Sequence, residues 1–267
     1  MTLYVPKVHY AHLLVAASNM TLTPIASTTY PFRRSYDRAK DLLFKFGSAS
    51  SAPKIEVDLG ATQAQSYDRV IIPIGHNLIA GDTITIIYAN NGSFTSSVTA
   101  KSYTVITADV GAQINLSFTS ASPGSSSDRY WRITFTLQSS RILELSELWI
   151  TKDLILDNDN GESLLTMPAK SSYEPNIIIS ETHAGYSRRL QLGTPRRRRS
   201  YGLAYLNSTD KTLLNTFEAA INRGQLYFYF TDHEGVTFVA ELMTPFEFSL
   251  DNPGYSKVNE FSVREVL

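Results

Sequence analysis

The sequence predicts a mainly β protein: an antiparallel jelly-roll sandwich in the N-terminal half, then a β-rich domain with one packed helix. Three observations carry this. Apolar and polar residues alternate with period two in short runs, turn residues follow one another closely, and one segment switches to helical spacing. Successive strand side chains point to opposite faces, so period two marks a sheet with one buried face.

The elements follow in order. Lys54 to Leu59 alternates and stops at Gly60, Arg69 to Ile74 is apolar and β-branched up to Gly75, and Asp82 to Tyr88 alternates before Asn91-Gly92. Ser102 to Thr107 alternates weakly, while Arg129 to Leu137 puts Trp131, Ile133, Phe135 and Leu137 on one face. Glu144 to Thr151 is the last run of this half, and the Ser/Gly/Pro-rich stretch 120–128 reads as a solvated loop. Later β-type runs are Asn176 to Glu181, Arg188 to Leu192, Arg197 to Leu206, Gln225 to Phe230, Val236 to Leu242 and Val258 to Val266.

The helical spacing belongs to Leu213, Leu214, Phe217, Ala220 and Ile221. Ser208 or Thr209 is expected to cap the helix start, and Gly224 suits its end. The composition shifts between the halves, where Asp153, Asp157, Asp159 and Glu162 precede Pro168 and Pro175. Two domains are therefore expected, 1–151 and 176–267, joined by a linker at 152–175. The Asp157 to Glu162 stretch lacks the ligand spacing of a calcium loop and reads as a solvated turn.

The 267 residues are 43% hydrophobic and 18% charged, which suits a globular chain and not a disordered one. The 24 basic and 25 acidic residues leave a net charge of −1, so no global field steers the chain onto nucleic acid or anionic lipid. There is no cysteine, which excludes disulfides, thiolate metal sites and a cysteine nucleophile. The apolar run Leu13 to Ala17 is too short for a signal-peptide core, and no run is long enough to span a membrane. Synthesis in a host cytoplasm, without export signal or membrane insertion, is expected.

The chemical inventory is sparse. His9, His12, His76, His183 and His233 are scattered, and a zinc site needs three or four convergent ligands. Nucleophile elbows, S-x-x-K pairs and phosphate-cradling glycine loops are missing. The expectation is no enzyme, no catalytic residue, no metal and no cofactor.

The strongest charge feature is Arg188, Arg189 and Arg196-Arg197-Arg198-Arg199. From Leu156 onward there are 11 basic and 14 acidic residues, so the run stands in an acidic surround. Arginines meeting carboxylates across a subunit or domain interface is the preferred reading. A solvated edge that discourages strand pairing is the alternative. Tyr227-Phe228-Tyr229-Phe230 is aromatic on both faces, which points to a second buried face, and Tyr227 and Tyr229 join the candidate interface. His76 and Asn77 are candidate glycan contacts, weighed against side-chain capping of a turn.

Two resemblances follow. Val57-Asp58-Leu59-Gly60, Asp68-Arg69-Val70, Gly75-His76-Asn77-Leu78, Tyr130-Trp131-Arg132-Ile133 and Glu147-Leu148-Trp149-Ile150 together resemble the discoidin-type galactose-binding-like jelly roll over residues 30–151. The Gly75 to Leu78 step is similar to the version found in bacteriophage virion proteins. Gly193-Thr194-Pro195-Arg196-Arg197, the helix ending in Gly224, Leu226 to Phe230, Asp232 to Gly235, Thr244 to Phe248 and Phe261 to Val266 resemble the C-terminal part of distal-tail-type phage proteins over residues 174–267. In many such proteins the ring-forming domain comes first, so the order here is reversed.

The resemblances imply a structural component of a phage tail tip or baseplate, resident in the virion. It would form a homo-oligomeric ring, with six subunits favoured, and join the tail tube to tip and hub proteins. The alternative is a carbohydrate-binding module or adhesin that recognises host surface glycan. Nucleic acid is not an expected partner.

Overall fold

The structure is a computed structural model that describes residues 5–10, 19–35, 43–60, 67–118, 129–157, 164–175, 177–181, 187–191, 194–252 and 254–266. The chain divides into two compact units, one of residues 11–153 and one of residues 1–10 with 154–267.

The 11–153 unit is a two-sheet antiparallel sandwich. One sheet orders β2 (Asn19–Thr23), β4 (Lys54–Asp58), β9 (Tyr130–Thr136), β6 (Thr83–Ala89) and β7 (Val98–Thr104). The other orders β11 (Trp149–Ile155), β5 (Arg69–Ile72) and β8 (Ile114–Ser117). A two-residue ladder joins β3 (Phe44–Lys45) to β10 (Glu144–Leu145). This is the architecture that the galactose-binding-like resemblance implies.

The alternation explains why the strands bury one face. Ile55 and Val57 of β4, Ile84 and Ile86 of β6, and Trp131, Ile133 and Phe135 of β9 share one core with Val70, Ile72, Ile114, Leu116 and Ile150 of the facing sheet. Trp131 sits among rings, with Tyr67 edge-on at 5.4 Å and Tyr88 tilted at 5.2 Å. Burying such rings supplies much of the driving force for the sandwich. The polar positions Glu56, Asp58, Tyr130 and Arg132 are left on the outer face of the larger sheet.

The other unit carries a sheet ordered β12 (Leu165–Glu174), β15 (Arg196–Leu206), β19 (Tyr255–Glu265), β17 (Thr237–Leu242), β16 (Phe228–Thr231) and β1 (Lys7–Tyr10). β18 (Phe248–Asn252) pairs with β19 beside this path. β13 (Ile177–Glu181) and β14 (Ser187–Gln191) form a hairpin of their own. The helix α1 (Ser208–Ala220) buries Leu214 and Phe217, and Phe217 meets Phe228 edge-on at 5.0 Å.

Several boundaries differ from expectation. The first ten residues belong to the C-terminal unit, because Lys7, Val8 and His9 pair with Thr231, Phe230 and Tyr229. The stretch 152–175 holds the end of β11 and all of β12 and is no linker. Asp153 is pinned by the Arg69 guanidinium, at 3.0 and 3.1 Å from Nε and 2.7 Å from Nη2. The helix cap is Asn207, whose side chain accepts from the N–H groups of Thr209 and Asp210, while Asp210 returns the bond to the Asn207 N–H. The helix ends at Ile221; Gly224 closes a left-handed run that begins at Asn222 and continues through Arg223. The loop 120–128 and most of the acidic stretch 157–162 lie outside the described residues.

Candidate functional site

Pairing register builds two polar rows across the outer face of the five-stranded sheet. Thr21, Glu56 and Arg132 lie opposite one another, as do Asn19, Asp58 and Tyr130. The segment after β6 forms the neighbouring wall. Asn91 organises it: its Oδ1 accepts from the Thr95 N–H at 3.2 Å and the Ser93 hydroxyl at 2.8 Å, and its Nδ2 donates to the Thr95 carbonyl at 3.0 Å. Phe94 and Ser96 adopt left-handed φ values of 56° and 62°. Such conformations persist where surrounding bonds enforce them.

Between the rows and this wall lies an open concavity of about 190 Å³, lined by Asn19, Thr21, Glu56, Val57, Asp58, Gly92, Phe94 and Tyr130. Two cation–aromatic contacts flank it: the Arg132 guanidinium is 3.9 Å from the Phe94 ring centre, and that of Arg129 is 4.7 Å from the Tyr130 ring centre.

Arginines orient both carboxylates. Arg129 donates from Nε to Asp58 Oδ1 at 2.7 Å and from Nη2 to Oδ2 at 2.9 Å. The Gly60 N–H also donates to Asp58 Oδ1, at 2.8 Å. The Arg129 bonds are the main cause that holds the Asp58 carboxyl below the ordinary carboxylate range, against opposing partial desolvation. Glu56 Oε1 accepts from Arg132 Nε at 2.6 Å and from Lys54 Nζ at 3.3 Å. That leaves Glu56 Oε2 to accept from a ligand. Among the described residues, Asn19 and Thr21 make no side-chain hydrogen bond of their own.

The expected site residues fall elsewhere. His76 Nδ1 accepts from the Leu78 N–H at 3.3 Å, so Nε2 carries the proton and donates to the Ala112 carbonyl at 2.9 Å. The Asn77 amide donates to the Ile142 carbonyl at 2.8 Å and accepts from the Glu144 N–H at 3.0 Å. His76 caps its own turn through Leu78, whereas Asn77 ties the turn to the distant 142–144 backbone, and neither side chain lines the concavity.

The arginines of β15 meet carboxylates of their own chain. Arg197 lies 3.8 Å from Glu265, and Arg198 donates to Glu174 at 2.9 Å. Arg199 is 1% exposed and donates to Asp232 at 3.0 Å and to Glu234 at 2.9 Å. Burial opposes its charge, and the two carboxylates outweigh that and raise its pKa. These three arginines therefore do not need a second subunit for their counter-charges. Arg196 opens β15, half-buried. Arg188 and Arg189 lie on β14, and their side chains fall outside the described residues. Tyr229 is buried within the chain and Tyr227 remains partly exposed.

The concavity is not legible in the sequence because its members come from three strands and a loop. The period-two pattern marks Glu56, Asp58, Tyr130 and Arg132 as outward-facing, yet the register that groups them is not local. A second concavity, about 150 Å³, is lined mainly by Leu154, Leu156, Leu164, Leu213 and Leu214 beside the first turn of α1. Asp157, Thr209 and Asp210 are its polar lining, and Asp210 is already engaged in the cap of α1. Among the described residues there is no cluster of metal-ligating side chains, and no helix is long and apolar enough to cross a membrane.

No family model and no curated protein matches the chain. Solved structures align with it. Chitosan-binding module 1 of a chitosanase/glucanase from Paenibacillus sp. IK-5 aligns with TM-score 0.41 and 21% identity, over 53% of this chain and 98% of that one. The family 32 carbohydrate-binding module of NanJ from Clostridium perfringens, in complex with galactose, gives 0.39 and 16%, over 54% and 98%. A GH29 fucosidase of Ruminococcus gnavus in complex with fucose gives 0.41 and 16%, over 57% of this chain and 28% of the enzyme. At these scores the sandwich rests on its own strand pairing, and the likenesses carry no argument about a ligand.

Proposed function

We propose that the sandwich unit is a glycan-binding module and that Asn19, Thr21, Glu56 and Tyr130 hold the sugar. One observation carries this reading: hydrogen-bonding groups that have no partners among the described residues share an open concavity with a half-buried aromatic ring. Glu56 Oε2 accepts from a sugar hydroxyl, Asn19 and Thr21 supply both donors and acceptors, and the Tyr130 ring packs on the apolar C–H face. Because the arginines hold the carboxylates in place beforehand, little ordering remains to oppose binding. A glycan array followed by calorimetry tests it; saturable binding that Tyr130→Ala abolishes supports the reading.

The second reading is a structural component of a phage tail tip; it rests on the sequence resemblance, and exposed apolar surface on the other unit is compatible with any macromolecular partner. Tyr205 and Tyr255 meet edge-on at 6.5 Å while 65% and 47% exposed, and Leu250 nearby on the β18–β19 ladder is 84% exposed. Clustered exposed apolar side chains mark surfaces that meet another macromolecule. Presence in purified virions by mass spectrometry, and loss of assembled tails on deleting the gene, would support it. The two readings are compatible, since a tip protein can also hold sugar.

A further inference from the structure

We propose that β13 of one copy of this chain pairs with the open edge of β12 in a second copy, by exchange of a strand that cannot close on its own molecule. The proposal rests on neither reading of function.

Among the described residues, β12 is the end strand of its sheet and pairs on one side only, with β15. Past its bulge, Lys170 to Glu174 form a five-residue ladder with β15. Lys170, Ser171, Ser172 and Tyr173 are exposed, so a row of backbone donors and acceptors faces outward. β13 and β14 pair with each other and, among the described residues, with no further strand. A two-stranded hairpin alone is marginal in water, and its apolar content, Ile177, Ile178, Ile179 and Leu190, favours cover.

The two segments match. β13 is five residues long, like the free ladder of β12. Laid antiparallel, they register Lys170 opposite Glu181, Ser171 opposite Ser180, Ser172 opposite Ile179, Tyr173 opposite Ile178 and Glu174 opposite Ile177. That gives an opposite-charge pair, a hydroxyl pair and an aromatic–β-branched pair, each a favourable cross-strand combination, with no like charges opposed.

The same register would form within one chain if Pro175-Asn176 were a two-residue hairpin turn. The favoured turns of that length need a positive φ at the first central residue, and the proline ring fixes φ near −65°. Turns that accept proline there splay the strands. In the structure β12 and β13 do not pair. Complementary strands adjacent in sequence but barred from closing satisfy the condition for exchange between copies. Reciprocal exchange closes a two-fold dimer, and one-way exchange runs head to tail.

The chain has no cysteine of its own, which permits a clean crosslinking test. Full-length Ser171→Cys and Ser180→Cys variants, differently tagged, are mixed and mildly oxidised. The expected product is a disulfide between the two variants, in excess of either variant linked to itself. Light scattering should give the unmodified chain a mass that is a multiple of its monomer. Pro175→Asn with Asn176→Gly installs a turn that lets β12 and β13 close internally, and should return the chain to a monomer with unchanged circular dichroism. A wild-type chain monomeric at all concentrations, crosslinks restricted to like pairs, or the turn variant retaining the wild-type mass would each overturn the proposal.

Discussion

Gly92 lies so close to the ring of Tyr130 that a Cβ on Gly92 would stand 3.2 Å from Tyr130 Cε1. The glycine is therefore part of the wall that sets the position of the ring. Gly92→Ala should push Tyr130 into the concavity and weaken sugar binding at least about tenfold, or about 1.4 kcal/mol. Stability should change by no more than about 0.5 kcal/mol, because the site is at the surface. Calorimetric titration beside urea unfolding checks both halves of the statement.

Asn77 serves the fold and not the ligand. Asn77→Ala removes two bonds to the 142–144 backbone and should cost about 1–3 kcal/mol, the range for leaving polar groups unsatisfied. Glycan affinity of the folded variant should equal that of wild type. A large loss of affinity without loss of stability would return Asn77 to the binding site.

The buried Arg199 is held by Asp232, which also accepts from the N–H groups of Glu234 and Val236 at 2.9 and 3.0 Å. Arg199→Met leaves Asp232 buried without its counter-charge, and should cost about 3–5 kcal/mol in urea unfolding followed by circular dichroism. A loss below about 1 kcal/mol would show that the turn, and not the ion pair, holds this corner.

Asp58 supplies a pH dependence of known sign. Its folded pKa is lowered from an ordinary value of 3.8, so its contribution is present above that value and is lost as the pH falls through the lower folded value. Comparing wild type with Asp58→Asn isolates the effect. The wild type should have the higher urea midpoint at about pH 6, and the gap should narrow toward about pH 2. A gap that widens with acid would mean that Arg129 does not govern this carboxyl.

Much of the fold is legible in the sequence because its signals are local. Lys54 to Asp58 and Tyr130 to Thr136 alternate, and both are strands that bury the expected face. The spacing of Leu214 and Phe217 gives the helix and its buried side. Long-range pairing was not legible: Lys7 to His9 join a strand more than 200 positions away, and nothing nearby announces it. The same limit hid the candidate site. Thr21, Glu56 and Arg132 become neighbours through register alone. The pairing of arginines with carboxylates was legible in the run, but not which carboxylates: Arg197, Arg198 and Arg199 meet Glu265, Glu174 and Asp232 of their own chain.

The most direct test of the central claim is calorimetric titration of the full chain with the best ligand from a glycan array, repeated on Glu56→Gln and Tyr130→Ala. Wild type should bind saturably, and each variant, still folded, should bind at least about tenfold more weakly. Binding of equal strength in all three proteins, or no binding by wild type to any glycan, would contradict that claim.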